Sequence, residues 1–327
     1  MAAEPSIAQA DVSASGPGSA HPSRSREEAN AVPLLRLLAA FAAVYLVWGS
    51  TYLAIRIGVA SLPPLTFAGA RFGVAGLLLL AYAAMRGAVG PGTRRDWITT
   101  VATALLMPVA ANGLVTWSER WVPSNQTALI VATAAFWTAG LGVLGPRGVA
   151  LQRGAVIGLA LGFGGVALLV SDGWRHGAAP LPAYAALLLS PILWSVGTIV
   201  SRNRPPACSW IAQTGWQMLI GGVVLAVLAG AGGEWRQLRL QPQGLLALAY
   251  LIVFGSCIAY AAYFWLVPQV APVQLGTAAY VNPAVAALLG WLILDERMTG
   301  RQWLGTAVIL AGTVLVTLSS RDGRSRG

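Results

Sequence analysis

Hydrophobic residues along this chain come in long runs, and polar residues come in short clusters between them. A membrane-crossing helix needs about 20 mostly apolar residues, and ten runs qualify. They extend from Arg36 to Val59, Pro64 to Met85, Trp97 to Trp117, Gln126 to Leu144 and Leu151 to Val170, then from Pro182 to Val200, Ser209 to Ala229, Gln243 to Leu266, Pro272 to Leu294 and Gln302 to Leu318. The connectors leave no room for a soluble domain, so the pattern predicts an all-α polytopic membrane protein of ten transmembrane helices. Residues 1–32 are rich in Ala, Ser, Pro and Gly and read as a mobile tail with no cleavable leader. Residues 320–327 form a second tail.

The runs repeat. A shift of 147 lays Gly158, Ala160, Gly165 and Leu168 on Gly305, Ala307, Gly312 and Leu315, and Ala132, Ala139 and Leu141 on Ala279, Ala286 and Leu288. A shift of 146 lays Trp48 on Trp194, Arg71 on Gln217 and Gly76 on Gly222. The repeats span residues 33–172 and 180–319. Each holds five helices, an odd number, so the second enters the membrane upside down relative to the first, as in secondary transporters that alternate access around a midplane site. Thirteen arginines fall on the side that carries both chain ends and seven on the other, which predicts cytoplasmic termini.

Composition narrows the function. The chain is 56% hydrophobic and 10% charged, more apolar surface than one soluble core hides. A net charge of +10, all of its basic residues arginine, could suggest nucleic acid; the arginines sit in loops beside apolar spans, without aromatic interleaving, and argue against it. Only His21 and His176 are histidines, and neither lies in a span. No metal cluster, Ser-His pair or phosphate loop can be assembled, which disfavours an intramembrane enzyme or an ATP-driven pump and implies no cofactor. A non-transporting scaffold or sensor is the other alternative, and it leaves the central prolines unexplained. Cys208 and Cys257 read as small apolar packers.

Pro108, Pro191 and Pro283 fall near the centres of three spans and lack the N–H that would satisfy the carbonyls of Ala104, Leu187 and Ala279. They are candidate helix breaks lining a polar cavity, or packing kinks satisfied by neighbouring hydroxyls. The stretches WGSTYLAIRIGVASLPPLTFAGARF (48–72), YLIVFGSCIAYAAYFWL (250–266) and YVNPAVAALLGWLILDERMTGRQWLGTAVILAGTVLV (280–316) resemble the EamA-domain transporters of the drug/metabolite transporter superfamily, the YedA-like bacterial exporters among them. The resemblance covers residues 36 to 319. It implies a ten-helix inner-membrane carrier exporting small metabolites or drugs, with a cavity built from the first four helices of each half and helices five and ten peripheral. Asn282, Pro283, Glu296, Gly305 and Gly312 match the family's proline helix and the glycine-rich helix after it. The first half has Ala135 and Phe136 at the equivalent of Asn282 and Pro283.

Candidate cargo contacts follow. Arg71, opposite Gln217 in the repeat, either snorkels to an interface or offers a cationic contact to an anionic or carbonyl group. Trp48, Trp117, Trp194, Tyr260 and Tyr280 supply aromatic walls for a metabolite, amino-acid-like or drug cargo, or else they pack or sit in an interfacial belt. Asn112 and Asn282 complete the binding set. No acidic residue falls in the centre of a span, so proton coupling would rest on Glu119, Asp295 or Glu296, which otherwise act as interfacial caps or salt-bridge partners. Glycines 154, 158, 162 and 165 against 305 and 312 suit close helix packing. The residues leave open the cargo's identity, antiport against facilitated efflux, the conformation and the oligomeric state, homo-oligomers included.

Overall fold

The structure, a computed structural model, describes residues 34–141, 153–175, 179–204, 207–266, 270 and 278–322. The tail at 1–32 lies outside the described residues, as do Arg147 and His176. Among the described residues the architecture is all-helical: α1 (Leu34–Val59), α2 (Pro64–Met85), α3 (Arg94–Ser118), α4 in two pieces (Ser124–Ala132 and Ala134–Leu141), α5 (Arg153–Arg175), α6 (Leu181–Asn203), α7 (Trp210–Ala231), α8 (Pro242–Leu266), α9 (Ala278–Leu294) and α10 (Gly300–Asp322). Seven of these, α1, α2, α3, α5, α6, α7 and α8, are long and apolar enough to cross a membrane, and Val281–Leu294 and Gly300–Val316 are shorter apolar helices. Apolar side chains such as Leu77, Leu246, Trp291 and Leu292 stand exposed on the outside of the bundle, as expected where lipid is the solvent.

Local chemistry sets the helix ends. Pro64, Pro182 and Pro242 occupy first-turn positions, where a missing N–H costs nothing. Thr93 and Asp96 form a reciprocal capping box, so α3 starts at Arg94, three residues before the predicted Trp97. Thr299 and Gln302 exchange side-chain-to-backbone bonds in the same way at the start of α10. Gly87, at φ 62°, turns the chain after α2.

Two helix pairs pack at backbone distance. A Cβ built on Gly69 of α2 would stand 2.9 Å from the Ala226 nitrogen of α7, and one on Gly222 would run into Gly73. Between α5 and α10, Cβ atoms on Gly165 and Gly158 would lie 2.7 Å from the carbonyl oxygens of Gly305 and Gly312. The glycine stripes anticipated on helices five and ten therefore meet each other, which removes side-chain bulk where lipid provides no hydrophobic drive.

Helix irregularities fall only partly where the prolines predict. Three wide-turn π-helical runs interrupt the bundle: Ala43–Val47 in α1, Leu105–Asn112 in α3 and Leu251–Ile258 in α8. Only the run in α3 contains a proline, Pro108. There a carbonyl accepts from the N–H five residues on, which gives Ala104, the residue capping the run, the N–H of Val109 in place of the one Pro108 lacks. Pro191 and Pro283 lie inside α6 and α9, which stay α-helical around them. The break that does occur, in α4 at Thr133, has no proline; the Thr133 hydroxyl takes the Ile130 carbonyl at 2.6 Å and competes with the helix for it.

Candidate functional site

Successive helices run in opposite directions, so the ends of α1, α3, α7 and α9 and the starts of α2, α4, α8 and α10 share one face. It is called here the far face; Leu34 and Asp322 lie on the other. Contacts across the molecule agree with this arrangement. Glu234, between α7 and α8, accepts from the Thr66 N–H (2.8 Å) and hydroxyl (3.1 Å) at the start of α2. On the termini face, Asp96 accepts from the Ala207 N–H at 3.2 Å.

Aromatic side chains from α1, α6 and α8 converge between the halves. Trp48 meets Trp194 edge-on (centroids 6.3 Å apart, planes at 88°) and Tyr260 at 5.6 Å, and Trp194 meets Tyr260 at 6.0 Å. Tyr263 closes on Trp48 at 5.0 Å. The Trp48 indole donates to the Gly255 carbonyl at 3.2 Å, inside the wide-turn run of α8. Tryptophans 48 and 194, the pair related by the 146-residue shift, thus stand face to edge.

Arg71 is buried, and its Nε donates to the Ser256 hydroxyl at 3.0 Å. Gln217 is buried as well and points at α3, donating to the Thr103 carbonyl and the Met107 sulfur, both at 3.4 Å. Asn112 donates to the Met107 carbonyl at 3.0 Å, so its amide closes its own wide turn. Arg71, Trp48, Trp194 and Tyr260 form one assembly; Gln217 and Asn112 form a second around Met107.

Trp117 pairs with Trp121 at 4.9 Å near the far face, apart from Trp48 and its partners. Asn282 sits where α9 crosses α1: a Cβ on Gly49 would lie 3.2 Å from its carbonyl oxygen, and its side-chain oxygen is buried with no hydrogen-bond partner among the described residues. The side chain of Tyr280 lies outside the described ones. A groove of about 440 Å³ runs along α8, lined by Leu79, Tyr82, Trp210, Val253, Cys257 and Ala261, and is apolar apart from the tyrosine and the cysteine. Cys208 and Cys257 are free thiols.

The three candidate coupling carboxyls differ sharply. Asp295 is exposed, holds a left-handed backbone at φ 51° and pairs with exposed Arg297 at 3.1 Å, an ion pair of little energetic consequence. Its turn sends Glu296 back over the end of α9, where the Glu296 N–H bonds the Gly290 carbonyl at 3.1 Å. The Glu296 carboxylate caps α4, accepting from Ser124 N (2.9 Å), Ser124 Oγ (2.8 Å) and Asn125 N (3.2 Å). It fits only because residue 290 has no side chain. Glu119 is fully buried, neither carboxyl oxygen has a hydrogen-bond partner among the described residues, and Arg56 binds its main-chain carbonyl instead.

Sequence reading missed Ser256, Gly255, Glu234 and Gly290. Their signal is weak: Gly255 and Ser256 lie in a quoted stretch, but only the fold brings Arg71 to them. The EamA-like transporter family model matches twice, over residues 35–171 and 181–318. The chain is 38% identical over 286 residues to the uncharacterized inner membrane transporter YedA of Escherichia coli, covering 87% of this chain and 92% of that one. It is 27% identical to an uncharacterized transporter of Synechocystis (84% and 87% covered) and 25% identical to a probable amino-acid metabolite efflux pump of Escherichia coli (82% and 90% covered). A crystal structure at 20% identity shares the fold, with a TM-score of 0.61 over 89% of this chain and 99% of that one. With both halves matched and a relative this similar over most of its length, the chain belongs to the EamA-like transporter family of membrane proteins.

Proposed function

We propose that the chain is an inner-membrane secondary transporter that exports small metabolites or drugs by alternating access. Its two five-helix halves, residues 33–172 and 180–319, thread the bilayer in opposite senses, and both termini face the cytoplasm. One observation carries this reading. The wide-turn runs Leu105–Asn112 and Leu251–Ile258 are offset by 146 residues, as are Gln217 and Arg71, the side chains that reach them from the opposite half. Each half therefore supplies a deformable helix to the other, as rocking around a central site requires. Cargo sits against Trp48, Trp194 and Tyr260, where π faces accept varied rings, and Arg71 meets an anionic or carbonyl group. Asn282 adds an unpartnered oxygen from α9. The probable amino-acid metabolite efflux pump among its relatives favours amino-acid-like cargo.

The test is reconstitution. Proteoliposomes carrying the chain are offered labelled amino acids, their acylated derivatives and hydrophobic drugs, with and without a proton gradient, alongside protein-free vesicles. Transport of at least one class, altered by substitution of Arg71 or Asn282, is expected. Uptake no different from empty vesicles across the panel would sink the transporter reading, and normal transport in both variants would sink the site.

A further inference from the structure

Glu119 has no role in the site just described, yet it is the most unusual ionisable group in the molecule. It follows α3 directly on the far face, in the connector that leads to α4, and its side chain is fully buried. An ionised carboxylate there, without a donor to either oxygen, costs several kcal/mol. Arg56 of α1 relieves it only in part, because its guanidinium donates to the Glu119 main-chain carbonyl and not to the carboxylate. The groups facing it are Arg56 and Tyr52 from α1, Arg71 from α2 and Glu296 from the connector after α9. Its chain neighbour Arg120 turns outward over the Trp121 ring. From α4, Ser124 and the Asn125 N–H at this end are bonded to Glu296, and the buried Asn125 side-chain oxygen has no hydrogen-bond partner among the described residues. Burial is the largest influence and raises the Glu119 carboxyl well above its usual range; Arg56 pulls down, Glu296 pushes up and Arg71 pulls down.

The surrounding structure is a closure. Val115 and Val122, which flank it along the chain, are buried in one large apolar cluster with Leu129, Ile130 and Tyr184. Glu296 ties α9 of the second half to α4 of the first, and the Ser118 hydroxyl donates to the Ala183 carbonyl of α6 at 3.0 Å. We infer that Glu119 is a proton-binding site of the closed far face, holding a proton while the seal is shut and releasing it to water when α4 and α9 part. This rests on the transporter reading and adds the ion to which the cycle is coupled. The sign follows from linkage: the closed state binds the extra proton, so acid favours closure and alkali favours opening. The window starts above the ordinary glutamate value of about 4.3. One proton shifts the ratio of open to closed by at most about tenfold per pH unit.

The test needs no cargo, so it stands or falls separately from transport. In a background with both native cysteines changed to serine, Val122→Cys places a thiol inside the seal, and a membrane-impermeant thiol reagent reports opening in nanodiscs. After division by the rate of a freely accessible thiol at the same pH, which itself rises with the thiolate fraction, the modification rate should climb with pH in the presence of Glu119, approaching tenfold per unit at its steepest, and should stay low and flat in Glu119→Gln. Infrared titration of the same samples should show a protonated-carboxyl band that persists above the ordinary glutamate range, disappears in Glu119→Gln and shifts in Glu119→Asp. The same pH dependence in the Gln variant, or an infrared band that survives both substitutions, overturns the assignment. If Glu119→Gln does not insert, Glu119→Asp decides alone: an unshifted band and pH midpoint refute it.

Discussion

Arg71 on α2 and Gln217 on α7 stand 146 residues apart, and each reaches a wide-turn run of the opposite half, Arg71 at Ser256 and Gln217 at Met107, with a second Gln217 contact to Thr103 just before the run. The backbone arrangement is the same in both places and the chemistry is not. Arg71 brings a charge, one short hydrogen bond and a neighbourhood of aromatic rings. Gln217 brings a neutral amide and two long contacts to groups that belong to the scaffold. Both halves carry a wide-turn segment, while only one half has a charged side chain reaching it. The site is then asymmetric even where the fold is not, and the Arg71 side should carry cargo recognition.

The largest effect should come from erasing that asymmetry. Arg71→Gln makes the two positions alike, and removing one partner of a buried charge-assisted contact costs 2 kcal/mol or more, a loss of about 30-fold or more in transport rate. Membrane yield should match the unmodified protein, because the glutamine keeps a donor for Ser256. Transport at the unmodified rate would mean that the halves are interchangeable. Gln217→Ala is the reciprocal change. It removes two long contacts and should lower thermal stability in detergent by about 1 kcal/mol, with transport reduced less than threefold. If Gln217→Ala abolishes transport while Arg71→Gln does not, the roles are reversed.

How far the sequence predicts this arrangement depends on the scale of the feature. Apolar runs of membrane length and the 146-residue offset locate the helices and pair Trp48 with Trp194, which the fold brings to 6.3 Å. Run length and offset survive because lipid punishes polar backbone at every position of a span. Helix irregularity is another matter. Proline predicts three breaks, yet α8 widens without one and α4 breaks at Thr133, because wide turns and breaks answer to neighbours across the bundle as much as to local chemistry. Glu119 and Glu296 look alike as sequence, each beside an arginine at the end of an apolar run. A glycine at 290 lets one reach a helix N-terminus, and the other is fully buried with no hydrogen-bond donor to its carboxyl among the described residues. That difference is made by residues far away in the chain.

The smallest effect tests whether Pro108 makes the α3 wide turn or merely fits it. In α8 the equivalent position is Phe254, which has its N–H, and the run persists. Pro108→Ala should therefore leave the wide turn in place. What the proline does supply is volume: a Cβ on Gly221 of α7 would stand 2.7 Å from its ring Cγ. Losing two ring methylenes at about 0.8 kcal/mol each sets the cost at 1 to 2 kcal/mol in a detergent melting experiment. Gly221→Ala alone should also destabilise, by steric contact with the ring. Combined, the two changes exchange a small residue for a large one across the same gap, and the double variant should return to within about 0.5 kcal/mol of the starting stability, far from additive. Additive losses would show that Pro108 holds the turn itself, and the proline would then mark a real difference between α3 and α8.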